Sequence, residues 1–240
     1  MREQLSLLAR PSKTITPGRY RCYLAPDAVN KLLSLLNWGG FSYDAAHAHT
    51  SPFMPLVNKE AVLDKNVTIS YAPGILGVPS FDAWGFCFDE DITIIKNGEI
   101  DNLLVSARDA KKQTITANIS YDYSDALTLA SSTLNESAIL KNLDTGIYIS
   151  NLWYCNYSDQ PRGRITGMTR FASLWVEDGE IVAPLHVMRF DDSVLSLFGA
   201  QLIDLDDTAT LITDSSTYDA RQFAVSQVPG ILVASMTFTH

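Results

Sequence analysis

Ile94-Ile95-Lys96-Asn97-Gly98-Glu99-Ile100 and Trp175-Val176-Glu177-Asp178-Gly179-Glu180-Ile181 decide the fold class. Each sets Asn-Gly or Asp-Gly between two apolar runs, and these pairs tolerate the two positive φ angles of a type I′ turn. Both stretches therefore predict β-hairpins. They share a Gly-Glu-Ile ending at an offset of 81 residues, which reads either as an internal duplication or as recurrence of a common turn. Outward from them, strands are predicted at 67–71, 92–96, 100–106, 126–132, 147–154, 171–176, 181–187, 209–213 and 231–239, all rich in β-branched and aromatic residues. The clearest helix follows the strand-like residues 19–24: Pro26-Asp27 opens a run with Val29, Leu32, Leu33, Leu35 and Leu36 at helical spacing, closed by Gly39-Gly40. A shorter helix is expected after Asp191-Asp192, with Val194, Leu195, Leu197 and Phe198 before Gly199. The predicted class is α+β and β-dominated, an antiparallel hairpin-rich sheet or barrel-like domain with a few short helices. Residues 1–18, with Pro11, Pro17 and Gly18, read as a linker or ragged start, and residues 19–240 as a single domain.

Composition narrows the function classes. The chain has 240 residues, 46% hydrophobic and 19% charged, long and apolar enough to bury a sizeable core. Its 27 acidic against 18 basic residues give a net charge of −9, which argues against direct nucleic-acid binding through phosphate neutralisation and against an anionic membrane surface. Cys22, Cys87 and Cys155 are odd in number and far apart, so they form neither a disulfide framework nor a Cys-x-x-Cys knuckle, and a reducing compartment fits best. The first ten residues lack the apolar core of a signal peptide, and no apolar run approaches the roughly 18 residues of a membrane span. A soluble, cytoplasmic protein is expected. Asn-x-Ser/Thr triplets at Asn66, Asn118, Asn135 and Asn156 are then chance matches.

Few constellations carry chemistry. His47-Ala48-His49 would project two rings from one face of a strand, within reach of one metal, but it lacks an obvious third ligand. Pro52 and Pro55 nearby favour an exposed loop with two surface histidines. His186 alternates with apolar residues and reads as half-buried. Cys155, in Leu152-Trp-Tyr-Cys-Asn-Tyr-Ser-Asp159, has only the following arginines to lower its pKa and reads as structural. No Gly-x-Ser-x-Gly elbow occurs, and Gly74-Ile-Leu-Gly77 lacks the Lys-Ser/Thr of a phosphate loop. The most function-like stretch is 151–171. Trp153, Tyr154 and Tyr157 precede Arg162, Arg164 and Arg170, with Gly163 and Gly167 placed to let backbone approach a ligand. Such a set suits a peptide or partner surface in which arginine forks hold a carboxylate. The competing reading buries the aromatics and pairs the arginines with the seven aspartates of 191–219, a region without Lys or Arg.

The order of these segments resembles a known family. A strand followed by Ala25-Pro-Asp-Ala-Val-Asn-Lys-Leu-Leu-Ser-Leu-Leu36, then Ser51-Pro52, Ile94-Ile-Lys-Asn-Gly-Glu-Ile100, Gly146-Ile-Tyr-Ile-Ser-Asn-Leu152 and Trp175-Val-Glu-Asp-Gly-Glu-Ile-Val-Ala-Pro-Leu185 is similar to the C-terminal half of TldD/PmbA proteins, also labelled modulators of DNA gyrase. Residues 151–159 with Thr166-Gly-Met-Thr-Arg-Phe171 look like one bacterial branch. The resemblance covers residues 17–240, and the family's N-terminal half has no counterpart, so the chain reads as a domain, fragment or truncated member. What the resemblance implies is a peptide-processing zinc metallopeptidase system, in which a TldD-type subunit carries His-Glu-x-x-x-His on a helix and a PmbA (TldE)-type subunit pairs with it without that motif. Here the corresponding helix reads Lys31-Leu-Leu-Ser-Leu-Leu-Asn37, and the cysteine ligand of TldD-type chains has no counterpart after Cys155. By resemblance this is the non-catalytic type. It would have no cofactor of its own, zinc only in a TldD-type partner, a TldD-like subunit or a second copy as partner, and peptide as substrate. Two rival readings are a stand-alone metal hydrolase using His47 and His49, and a self-assembly module built on the hairpins.

Overall fold

The structure is a computed structural model that describes residues 6–79, 81, 85–87, 91–120, 123–214, 217 and 224–239. These residues form fifteen strands in two sheets. The nine-stranded sheet runs β10 (Glu180–Pro184), β9 (Ser173–Glu177), β6 (Gly146–Ile149), β1 (Gly18–Leu24), β15 (Ile231–Thr239), β11 (Arg189–Ser193), β8 (Arg164–Met168), β7 (Trp153–Asp159), with β12 (Leu202–Leu205) also pairing β15. The six-stranded sheet runs β13 (Thr210–Thr213), β14 (Val225–Val228), β5 (Ala126–Leu129), β2 (Ile69–Tyr71), β3 (Ile92–Lys96), β4 (Glu99–Ile100). Pairing is antiparallel except for β1 with β6 and β5 with β14. Neither order closes on itself, so the α+β, β-dominated class holds as two open sheets rather than a barrel.

Both turn motifs form type I′ hairpins. Asn97 and Gly98 have φ of 50° and 83°, Asp178 and Gly179 51° and 78°, and each hairpin ends its sheet. Behind them the sheets differ: β9 is followed by the parallel pair β6–β1, β3 by the antiparallel pair β2–β5. That contrast favours a recurrent turn over a duplication. The strand predicted at 100–106 stops at Ile100, because Ser106 caps a helix Ala107–Gln113: its Oγ accepts from the Asp109 amide and donates to the Asp109 carboxylate. The strand predicted at 147–154 divides into β6 and β7.

The helix α1 (Pro26–Leu36) begins with proline at its first turn, where the missing N–H costs nothing. It stops where the Gly40 amide donates to Leu36 O; a Cβ at Gly40 would lie 2.3 Å from that oxygen. Its buried face carries Ala28, Val29, Leu32, Leu33, Leu35 and Leu36. Burying each leucine contributes about 1.5–3 kcal/mol. The helix touches β1 and β7 of one sheet and β13 and β14 of the other, so it lies between the sheets and joins them in one continuous core that includes Leu24, Phe190 and Phe238 with Ile69, Ile94 and Leu127. A second cluster, Tyr23, Leu143, Val176 and Leu232, packs beneath 136–143. The N-terminal segment lies along β10: the Lys13 amide donates to Pro184 O, the His186 amide to Lys13 O, and Lys13 Nζ pairs with Glu177 over the Trp175 ring. His186, expected half-buried, is exposed on this edge. No helix among the described residues is long and apolar enough to cross a membrane.

Candidate functional site

Among the described residues, β7 pairs only with β8 and β13 only with β14, so each is an edge strand of its sheet. A cleft of about 650 Å³ lies between these edges, with the polar side of α1 along it. That side is Asp27, Asn30, Lys31 and Ser34, at three- and four-residue spacing opposite the leucine face, with Trp38 just past the helix end. The other walls bring Tyr123 and Asp125 ahead of β5, Asp214 after β13, and Trp153, Tyr154 and Phe171 from the β7 side. Four of these aromatics are strongly exposed: Trp38 60%, Tyr123 44%, Tyr154 72% and Phe171 44%.

The chain between Trp153 and Asp159 dictates how the predicted residues sit. Their burial alternates, so Trp153, Cys155 and Tyr157 turn inward while Tyr154 turns out. The register slips between Trp153 and Asn156, and Tyr154 takes φ 52°. Trp153 and Tyr154 rings lie 5.3 Å apart, and the Arg170 guanidinium covers Trp153 at 4.5 Å. Tyr157 is a strut rather than a contact: its hydroxyl donates to Leu35 O at 3.0 Å, and burial pushes its phenol up. Burial likewise raises the Cys155 thiol to about 12, with Lys31 pulling the other way, so it is no thiolate at neutral pH.

The arginines divide. Arg164, at the start of β8, pairs with Asp191 on β11, and Arg162, in the turn joining β7 to β8, pairs with Asp159 at 2.9 Å. Neither lines the cleft. Gly163 and Gly167, expected to admit a ligand, admit protein instead: a Cβ at Gly167 would come within 2.6 Å of Phe190, and one at Gly163 within 3.1 Å of Pro52 O. His47 ends the short helix α2 (Tyr43–His47), stacked on Tyr43 at 5.9 Å; His49 follows at φ 58°, and both are exposed. Among the described residues no three His, Cys, Asp or Glu side chains are grouped to hold a metal ion.

A family profile described as the PmbA/TldA metallopeptidase C-terminal domain matches residues 17–240. The chain belongs to the PmbA/TldD family. No curated protein matches it. Solved structures share the fold. A protein from Thermotoga maritima named as a candidate modulator of a DNA gyrase is 18% identical at a TM-score of 0.76, over 99% of this chain and 53% of that one. A second, so named from Bacteroides thetaiotaomicron, is 17% identical at 0.75, over 95% and 48%. TldE from Thermococcus kodakarensis is 14% identical at 0.79, over 99% and 54%. The chain thus spans about half the length of these structures.

The family name implies a metal, and among the described residues those along α1 do not fit one. On the cleft side of α1 a single carboxylate, Asp27, stands beside an ammonium, Lys31, which repels a cation; Asn30 offers an amide whose buried oxygen has no partner. Cys155, the nearest sulfur, is held protonated.

Proposed function

We propose that this chain is a non-catalytic, PmbA/TldE-type C-terminal domain that pairs with a TldD-like subunit in a peptidase system and holds peptide in extended form along its cleft. The observation that carries this is the pair of free strand edges flanking one cleft, with exposed aromatics between. Unpaired N–H and C=O groups on an edge accept an added strand whatever its side chains, and aromatic walls shield the new hydrogen bonds from water. The cleft volume lies within the range of small-ligand pockets, so a few residues of a longer segment fit at one time. Zinc chemistry then belongs to the TldD-type partner.

The test is a titration of fluorescently labelled, unstructured peptides of about ten residues, a length that spans one strand. Binding is expected, and N-methylation of alternate amides, which removes backbone donors and leaves the side chains, should abolish it. Equal binding of the methylated peptide would sink the strand-addition reading. Pairing is checked by mixing the chain with a His-Glu-x-x-x-His family member and measuring the mass of the complex.

A further inference from the structure

The geometry points to a cleft that selects peptide segments presenting a carboxylate across Trp153, held there by the guanidinium of Arg170 and the ammonium of Lys31. This rests on the peptide-binding reading of the same cleft and names which peptides it prefers.

Two hydrogen bonds set α1 alongside the strand that carries Trp153. The Tyr157 hydroxyl donates to Leu35 O at 3.0 Å and the Gln160 side-chain amide to Trp38 O at 3.3 Å, so helix and strand advance together. One turn back from Leu35 on α1 and two residues back from Tyr157 on β7 each cover about 6 Å, which brings Lys31 opposite Cys155. Both line the cleft. Trp153 stands two residues before Cys155 on the same inward-turned side of β7 and lines the cleft as well. Over its ring, 4.5 Å from the centroid, lies the guanidinium of Arg170, the residue before the wall residue Phe171. Two cations from separate elements therefore stand at one wall, Lys31 from the helix and Arg170 from the segment after β8.

Partners are the second observation. Among the described residues neither Lys31 nor Arg170 forms an ion pair, although Asp27 stands one turn before Lys31 on α1. Their neighbours differ: Arg162 is taken by Asp159 and Arg164 by Asp191, and the lining acids Asp125 and Asp214 have partners of their own. Arg170 is exposed and meets Trp153 through the ring face, which leaves the N–H fork open to a planar acceptor. A carboxylate laid across Trp153 accepts from that fork and meets the ammonium of Lys31, both charge-assisted contacts. Stacking on the indole also holds the guanidinium in place beforehand, so less side-chain freedom is lost on binding. A Lys or Arg side chain at the same position would face two like charges. The net charge of −9 gives an acidic peptide no long-range attraction, so the selection is made by these two local contacts.

The test uses the whole chain and labelled peptides of one length and aliphatic frame, amidated at the C-terminus and differing only in a central Glu, Gln or Arg, read by fluorescence anisotropy. The Glu peptide should bind at least about fivefold tighter than the Gln peptide, with Arg weakest, and the gap should shrink as salt rises. A fourth peptide, central Gln with a free C-terminal carboxylate, separates the sources: a gain confined to it would put the chain end, rather than a side chain, on the same two cations. Lys31→Gln and Arg170→Gln should each close most of the gap between the carboxylate-bearing and neutral peptides. Lys31→Gln, which breaks no ion pair, should melt with the parent. Arg162→Gln removes a cation that lies off the cleft and should leave the gap as it was; a gap that closes there too would show general charge rather than a site and overturn the proposal. Equal affinities for all the peptides, or a preference for Arg, would overturn the selectivity and leave the peptide reading standing. Failure of every peptide to bind would remove both.

Discussion

Asp206 keeps only 6% of its surface exposed; its Oδ2 accepts from the Tyr23 hydroxyl at 2.6 Å and the Gly230 amide at 2.8 Å, and its Oδ1 has no partner. Burial raises its pKa, the two hydrogen bonds pull it down, and Asp207 and Glu136 push it up again, for a net rise. A carboxyl whose folded pKa is raised holds its proton more tightly in the folded state. Its contribution to stability is therefore full below the unfolded carboxylate range and is lost as pH rises through the raised value. Asp206→Asn keeps an acceptor for both donors and no longer titrates. Relative to that variant the parent should gain melting temperature as pH falls from 7 to 4; parallel curves would show that Asp206 titrates as in the unfolded chain. Single residues were legible in the sequence where their chemistry is local, as in the turn glycines. They were not where a distant chain supplies the contact, as at Gly167, which is small because Phe190 presses on it; the pairing of arginines with the aspartates of 191–219, read as the competing alternative, holds for Arg164 with Asp191.

At the scale of elements, the hairpins and α1 could be read because turn chemistry and helical period are written within about a dozen residues. Strands β8, β11, β12 and β14 could not. Each is four or five residues long, broken by Gly, Asp or Ser, and exists through pairing with remote strands, as β14 does with β5. The two hairpin turns also make unequal predictions. Gly98 and Gly179 share the strained φ, and replacement by alanine costs each about 1 kcal/mol on that account. A Cβ on Gly98, however, would lie 2.4 Å from Leu63 O, whereas on Gly179 the nearest atom is Lys141 Cα at 3.3 Å. Gly98→Ala should therefore destabilise clearly more than Gly179→Ala in a denaturant melt, and equal losses would show that the clash relaxes freely. Tyr157→Phe, which removes the strut from β7 to α1, should cost about 0.5–1.5 kcal/mol.

Over the whole molecule, the cleft was the least legible feature. Its walls come from α1, from residues ahead of β5, from the start of β7 and from the β13–β14 edge, which no local pattern connects. What assembles them is α1 wedged between two sheets, fixed at its end by Asn37, whose amide donates to Ser124 O and accepts from the Ser124 amide at 2.9 Å. Of the predicted binding residues, only Trp153 and Tyr154 reach the cleft, with Phe171 at the end of the same predicted stretch; Trp38 and Tyr123 were missed because exposed aromatics look like core in a sequence. The polar stripe Asp27, Asn30, Lys31 and Ser34 was the available signal, and it also bears on the metal. A zinc site needs three or four ligands held together, and that stripe presents one carboxylate beside an ammonium. The chain dialysed against zinc and then buffer should hold far less than stoichiometric metal by elemental analysis, and His47→Ala should not change the value. Near-stoichiometric zinc that vanishes in His47→Ala would transfer the function to a stand-alone hydrolase centred on His47 and His49. Zinc that persists in that variant would instead require ligands from elsewhere in the chain, and the non-catalytic assignment would fail on either result.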